Sequence, residues 1–325
     1  MHLVSNKYKQ FWVFIIKLIF VFGAGYYIYQ RVFYNTVLPV EILMNQIKVF
    51  LLQEYWIVPV LLFFTLLNWF FEVLRWKSLV QSLQEISFVD ALEQSLSAHT
   101  LSIVTPFKTG EYVGKSLFFE KKIRKKVILL NLVGNLTQLA VTFLFGIIGL
   151  TFFLTYFEVS IPYYKVRRLF YFFGVLIASF FIGKRALKKT KWNYYKKAYS
   201  FYKDISLASK INVLLFSVLR YLIFSHQFYF LLLLFGIDVA YSTAIFLIFS
   251  MYFIATILPV MSLLDFVIKG GIAIYLFTFV GADELKILLV STLMWLLNFV
   301  LPALIGAVYI LFYQGENKPL VSSEN

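Results

Sequence analysis

The sequence predicts an all-α integral membrane protein, a single polytopic domain over residues 1–325, and three observations carry that prediction. Hydrophobic residues make up 61% of the chain and charged residues 14%, against about a quarter charged in soluble domains; mean hydropathy is +0.81. The apolar residues gather into the runs Phe11–Tyr29, Trp56–Leu74, Val127–Phe157, Leu169–Ile182, Ile211–Gly236, Thr243–Leu258 and Ile287–Phe312. Most are near or above the ~20 residues that cross a ~30 Å hydrocarbon core. Finally, a proline with nearby glycines and an acid–base pair at i, i+4 occurs twice. The first copy is Thr105-Pro106-Phe107-Lys108-Thr109-Gly110-Glu111 with Lys115; the second holds Pro259 and Asp265, then Lys269-Gly270-Gly271. An ionisable group costs about 2.5–3.5 kcal/mol at the centre of a membrane helix, so it usually faces a cavity or a partner.

The elements follow in order. Lys7 and Lys9 precede the first run, which continues past Gly23-Ala24-Gly25 into Tyr26–Tyr29; this is longer than a signal-peptide core and reads as a retained first span. Basic residues then set the orientation. Six fall in Lys115–Lys126 against one acid, and nine between Lys184 and Lys210 against only Asp204. Both segments are expected on the cytoplasmic side of an inner (cytoplasmic) membrane, with both termini. The loop after Phe157 carries Lys165, Arg167 and Arg168, which fits an external loop poorly. Within 184–210, Trp192, Tyr194, Tyr195, Tyr199, Phe201 and Tyr202 alternate with lysines, as in a helix lying on an anionic surface. Net charge is +14, and its place in loops points to anionic lipid headgroups rather than nucleic acid. With no cysteine and three scattered histidines, the chain offers no thiol chemistry and no metal-ligand spacing; no cofactor is implied.

An internal repeat is expected over 51–157 and 205–313. Arg75-Trp76 answers Arg220-Tyr221, Pro106 answers Pro259, and Asn131, Gln138 and Gly146 answer Ser291, Asn298 and Gly306. Transporters built from repeats place Gly/Pro-interrupted segments at the binding site. Broken or re-entrant helices are therefore expected around Pro106 and Pro259, within Ser87–Phe119 and Thr256–Phe277. In the first, Asp90, Glu93 and Gln94 share a helical face that would line an aqueous entry; an amphipathic helix on the cytoplasmic surface is the alternative. Asn131, Asn135, Gln138 and Thr142 form one polar face of a long span, repeated by Ser291, Trp295 and Asn298, and line a cavity or join helices. Arg75 closes its run, where a snorkelling cation is the simple expectation, whereas Arg220 lies deep in one and needs a carboxylate or phosphate. Candidate substrate-binding residues are Arg75, Lys108, Glu111, Lys115, Arg220, Asp265 and Lys269; cavity-lining candidates are Asn131, Asn135, Gln138 and Asn298. No catalytic constellation is readable.

Arg75-Trp76, Pro106-x-Lys108-x-Gly110-Glu111, the basic cluster after it, Arg220-Tyr221 and Pro259…Asp265…Lys269-Gly270 together resemble the membrane domain of the lysylphosphatidylglycerol synthase/flippase (MprF-like) family. The resemblance covers roughly residues 10–313, with Asp265 where the family pattern has Glu. It implies about eight transmembrane helices and a protein that moves lipids between leaflets, without the soluble aminoacyl transferase domain. The expected function is a lipid or lipid-linked substrate translocase, with a phospholipid or lipid-linked substrate as partner and a second copy of the chain as a further candidate. The alternatives are a membrane-embedded transferase acting on a lipid-linked donor and a secondary transporter of a small polar solute.

Overall fold

The computed structural model describes residues 56–103, 105, 108–157, 159, 189–257 and 265–312. The expected first span, the run Leu169–Ile182, Pro106, Pro259 and both termini lie outside them. The described residues are helical, with no strand among them. Four helices are long and apolar enough to cross a membrane: α1 (Ile57–Val80), α4 (Arg124–Tyr156), α6 (Leu207–Leu234) and α9 (Glu284–Leu311). At ~1.5 Å per residue each exceeds a ~30 Å core. Between them lie α2 (Phe88–Ile103), α3 (Thr109–Leu117), α5 (Lys189–Asp204), α7 (Tyr241–Ile257) and α8 (Asp265–Thr278). A π-helical turn at Leu296–Val300 interrupts α9.

Local chemistry sets several helix ends. Ser87 and Asp90 cap α2 reciprocally, the Asp90 N–H donating to Ser87 Oγ and the Ser87 N–H to Asp90 Oδ2, both at 3.1 Å. Ser206 caps α6 through the Ser209 N–H, and Asp283 caps α9 through the Lys286 N–H. Gly236, at φ +65°, ends α6: its N–H reaches the Leu233 carbonyl while Ile237 N–H reaches Leu232.

Side-chain contacts give the helix directions. Thr65 meets Gln227, Asn68 meets Arg220 and Phe71 meets Phe216, so α1 and α6 run antiparallel. Phe143, Phe145 and Phe152 meet Phe253, Phe249 and Phe246, so α4 and α7 do too. The α2 and α3 helices form an antiparallel hairpin, Gly114 resting on Ala98 and Gly110 on Leu101. Helices α2 and α3 thus enter the bundle and return, and α2 is packed inside rather than laid on a surface. Phe152 packs on Phe246, near the start of α7, while Phe153 packs on Phe279, just past α8; these two helices also start and finish at one level. The order long helix, helical hairpin, long helix therefore occurs twice, as α1, α2–α3, α4 and as α6, α7–α8, α9.

Two expectations change, and a third segment is located. Within the run Thr243–Leu258, the described residues belong to α7, 17 residues long, and many of them are buried; α7 is an interior arm of a hairpin rather than one of the long spans. Gln94 does not line an entry: it is buried and accepts the Trp76 Nε1–H at 2.8 Å, while Asp90 is used in the cap. Within the basic segment 184–210, residues 189–204 are the helix α5, whose end meets the chain where α1 ends and α4 begins. Ile205 joins Val73, Leu79 and Val127 there, and Lys126 sits 5.8 Å from the Phe201 ring.

Large apolar side chains on α4 face outward, Leu136, Leu144 and Ile147 among them, which suits lipid contact. Inward, glycines let backbones touch. A Cβ on Gly306 would overlap the Leu96 carbonyl of α2, and one on Gly146 the Phe253 side chain of α7. Gly306→Ala is expected to destabilise the detergent-purified protein by about 1–3 kcal/mol through overpacking, read as a lowered thermal unfolding midpoint. Leu304→Ala, at a side chain exposed on the same helix, is expected to leave that midpoint within error.

Candidate functional site

The polar residues of α1 meet those of α3, α4 and α6 around one carboxylate, Glu72. Arg75, one turn on, donates to Glu72 Oε2 at 2.5 Å. Arg220 of α6 donates to the same oxygen, also at 2.5 Å. Lys115 of α3 reaches Oε1 at 3.3 Å and lies 4.4 Å from the Trp76 ring. Glu72, Arg75 and Lys115 are all buried, so the cluster is a low-dielectric one in which each charge depends on the others. Further hydrogen bonds orient the cations. Arg75 donates to the Gly134 carbonyl at 3.0 Å and towards Gln138 at 3.4 Å. Arg220 Nε donates to Asn68 at 3.2 Å, and Lys115 to Asn131 at 3.0 Å. From Asn68 a chain of amides runs through Asn298 to Gln227 and Thr65, tying α1, α6 and α9 together.

The cluster forms one wall of a cavity of about 350 Å³, a volume usual for small-molecule sites. All seven residues singled out as substrate-binding candidates line it: Arg75, Lys108, Glu111, Lys115, Arg220, Asp265 and Lys269. Asn135, Gln138 and Asn298 line it as well. Asn131 does not; it is buried behind the wall, where its carbonyl holds Lys115. The two acid–base pairs face the same space. Glu111–Lys115 spans 3.6 Å and Asp265–Lys269 spans 2.5 Å, with Lys269 also 5.6 Å from the Tyr252 ring. Lys108, at the bend before α3, takes a left-handed φ of 56°, and it makes no hydrogen bond or ion pair with any described residue. The remaining wall is aromatic. Trp69 and Phe299 flank His99, whose Nε2 lies 3.0 Å from the Phe299 carbonyl, and Trp295 lies between Phe266 and Phe299. Ser95 Oγ, Ser291 Oγ and Trp295 Nε1, all on lining residues, are buried without a hydrogen-bond partner among the described residues.

Two sequence expectations are corrected here. Arg75 is not a snorkelling cation: its side chain is 4% exposed and its donors turn inward. The other concerns a residue passed over. Glu72 lies inside the run Trp56–Leu74, and the signal for it was present, since an acid in a span three residues before an arginine forms a pair on one helix face.

No protein-family model, curated protein or solved structure matches the chain. Fold and cavity define a multi-pass helical membrane protein with a charged internal site.

Removing Glu72 leaves Arg75, Lys115 and Arg220 facing one another. Glu72→Ala is expected to cost about 3–5 kcal/mol of stability, the usual loss on breaking a buried charge pair. Adding Arg220→Met is expected to recover part of it. Thermal unfolding of both single variants and the double variant in detergent checks this; a double loss equal to the sum of the two single losses would mean that the two residues are uncoupled.

Proposed function

We propose that the protein is a translocase for a phospholipid or lipid-linked substrate in an inner membrane, built from two duplicated units of opposite orientation. The observation that carries this reading is the cavity, where charges contributed by both hairpins and by α1 and α6 meet inside a bundle of membrane-length helices. A site there suits an anionic headgroup, while the outward apolar faces of the helices suit its chains. The resemblance to the lysylphosphatidylglycerol synthase/flippase membrane domain agrees with it.

Duplication is supported by an exchange of partners. The last helix of each set packs on the hairpin of the other: Gly146 of α4 meets Phe253 of α7, and Gly306 of α9 meets Thr100 of α2. Gly146 and Gly306 are matched positions in the sequence repeat. Thr100 and Phe253 are matched as well, each six residues before its proline. Arg75 and Arg220, also matched, reach the same Glu72 oxygen. Units of opposite orientation related in this way can rock about a shared site and expose it to either leaflet in turn.

Transbilayer movement of fluorescent phospholipids tests the activity, with purified protein in liposomes. Wild type is expected to move headgroup-selectively, and Glu111→Gln and Asp265→Asn to slow movement tenfold or more. Absence of movement by folded wild type would sink the translocase reading; unchanged variants would remove the acids from its site.

The chain has no cysteine, so orientation is testable with single introduced ones. Cysteines at the exposed positions Lys122 and Asp238 are expected to react with an impermeant maleimide from opposite sides, Lys122→Cys from the cytoplasm. Labelling of both from one side would overturn the opposed arrangement of the two units.

A further inference from the structure

The cavity is built to receive acceptors rather than donors. Five cationic side chains line it, Arg75, Lys108, Lys115, Arg220 and Lys269, against three carboxylates, Glu72, Glu111 and Asp265. Two positive charges are therefore in excess among the described residues. Each carboxylate already faces at least one cation, at 2.5 Å for Glu72, 3.6 Å for Glu111 and 2.5 Å for Asp265. None is left for an incoming ammonium group. The unclaimed groups include several donors. Lys108, an exposed residue, makes no hydrogen bond or ion pair with any described residue. Arg220 uses Nε on Asn68 and Nη1 on Glu72, which leaves its Nη2 to the cavity, where its side chain is 17% exposed. Trp295 Nε1 is buried and has no hydrogen-bond partner among the described residues, as is true of the hydroxyls of Ser95 and Ser291. Buried polar groups in native structures are nearly all satisfied, so these three add unmet hydrogen-bonding capacity beside the cavity, while Lys108 and Arg220 present the donors that face it.

The size of the excess narrows the ligand further. An unbalanced pair of positive charges in a partly dry site is costly until it is neutralised. A phosphodiester brings one negative charge. An aminoacylated phosphodiester such as lysylphosphatidylglycerol brings added ammonium groups, for which the site has no open carboxylate among the described residues. A phosphate monoester carries about −1.5 to −2 near neutral pH, and a diphosphate at least as much.

Resting on the translocase reading for its lipid portion, we infer that the headgroup taken by this site is a dianionic phosphate, a monoester or diphosphate at the end of a lipid. Arg220 and Lys108 are the principal phosphate ligands. Arginine is suited to the bidentate part of that role and lysine to the point-charge part. Glu72 is then the internal stand-in for phosphate, holding Arg75 and Arg220 together while the site is empty.

The test is a binding titration of the purified full chain in detergent at pH 8, read by the fluorescence of Trp69 and Trp295 on the cavity wall. The probes are dihexanoyl phosphatidic acid as the monoester, dihexanoyl phosphatidylglycerol as the diester, the lysyl ester of the latter, and glycerol 3-phosphate as a monoester without chains. Phosphatidic acid is expected to bind at least tenfold more tightly than phosphatidylglycerol. Lys108→Asn, which removes the charge but tolerates the left-handed backbone, is expected to cut that advantage to threefold or less, as is Arg220→Gln. Equal or tighter binding of phosphatidylglycerol or its lysyl ester overturns the inference, and so does an advantage that survives Lys108→Asn in full. Glycerol 3-phosphate binding as tightly as phosphatidic acid supports the dianion site and removes the lipid from it. A phosphatidic acid preference without transbilayer movement in liposomes supports the site and sinks translocation; movement that favours the lysyl ester does the reverse.

Discussion

One carboxylate among three cations is the constraint from which much of the architecture follows. Glu72 sits between Arg75 of its own helix, Arg220 of α6 and Lys115 of α3. Without it, two guanidinium groups and an ammonium group would share a nearly dry space. At a few ångströms such like-charge contacts cost several kcal/mol even at a moderate effective dielectric. With it, α1, α3 and α6 are held at fixed separations, and the Arg75 donors that remain bring in α4 through Gly134 and Gln138. The cluster is thus a structural junction and a cavity wall at once. A buried ion network is weak evidence for stability alone, because burying each ion costs several kcal/mol. Its value here is that it places charges of known sign at the wall of a cavity.

The second constraint is close backbone approach. Apolar side chains in lipid gain little by meeting other apolar side chains, so helices there associate through small residues and hydrogen bonds. Both devices appear where the two sets of helices exchange partners. Gly306 admits the α2 backbone, and Thr100 Oγ1 donates across the same contact to the Ala303 carbonyl at 2.8 Å. Gly146 and Gly149 admit α7 in the corresponding place. The exchange means that neither hairpin is supported by its own set alone. Movement of one set against the other would therefore carry a hairpin with it, which is the behaviour the proposed translocase requires.

Much of the site was legible before the structure. Lys108, Glu111, Lys115, Asp265 and Lys269 stood out because each is charged in an apolar context, and a charge in lipid needs a reason. Arg220 stood out for the same cause. Glu72 obeys the same rule, but as a lone acid inside the apolar run Trp56–Leu74 it hardly alters the character of that run. Asn131 was placed on the cavity wall because it shares a helical face with Asn135 and Gln138, yet Lys115 fills the space in front of it. Periodicity assigns a residue to a face but cannot say what already occupies that face. Gln94 shows the same limit, since its polar character is consumed by Trp76 rather than offered to water.

The sequence by itself determined the class of environment, the long helices and the charged segments that could not be left in lipid. These follow from transfer free energies and helical periodicity, which are local properties of the chain. Only the tertiary structure decided that α7 is an interior arm, that Arg75 turns inward, and that two arginines so distant in the chain share one carboxylate. Those outcomes depend on which helix faces which, and the choice is set by matching small residues and opposite charges across the bundle. No window along the chain contains both partners of such a match.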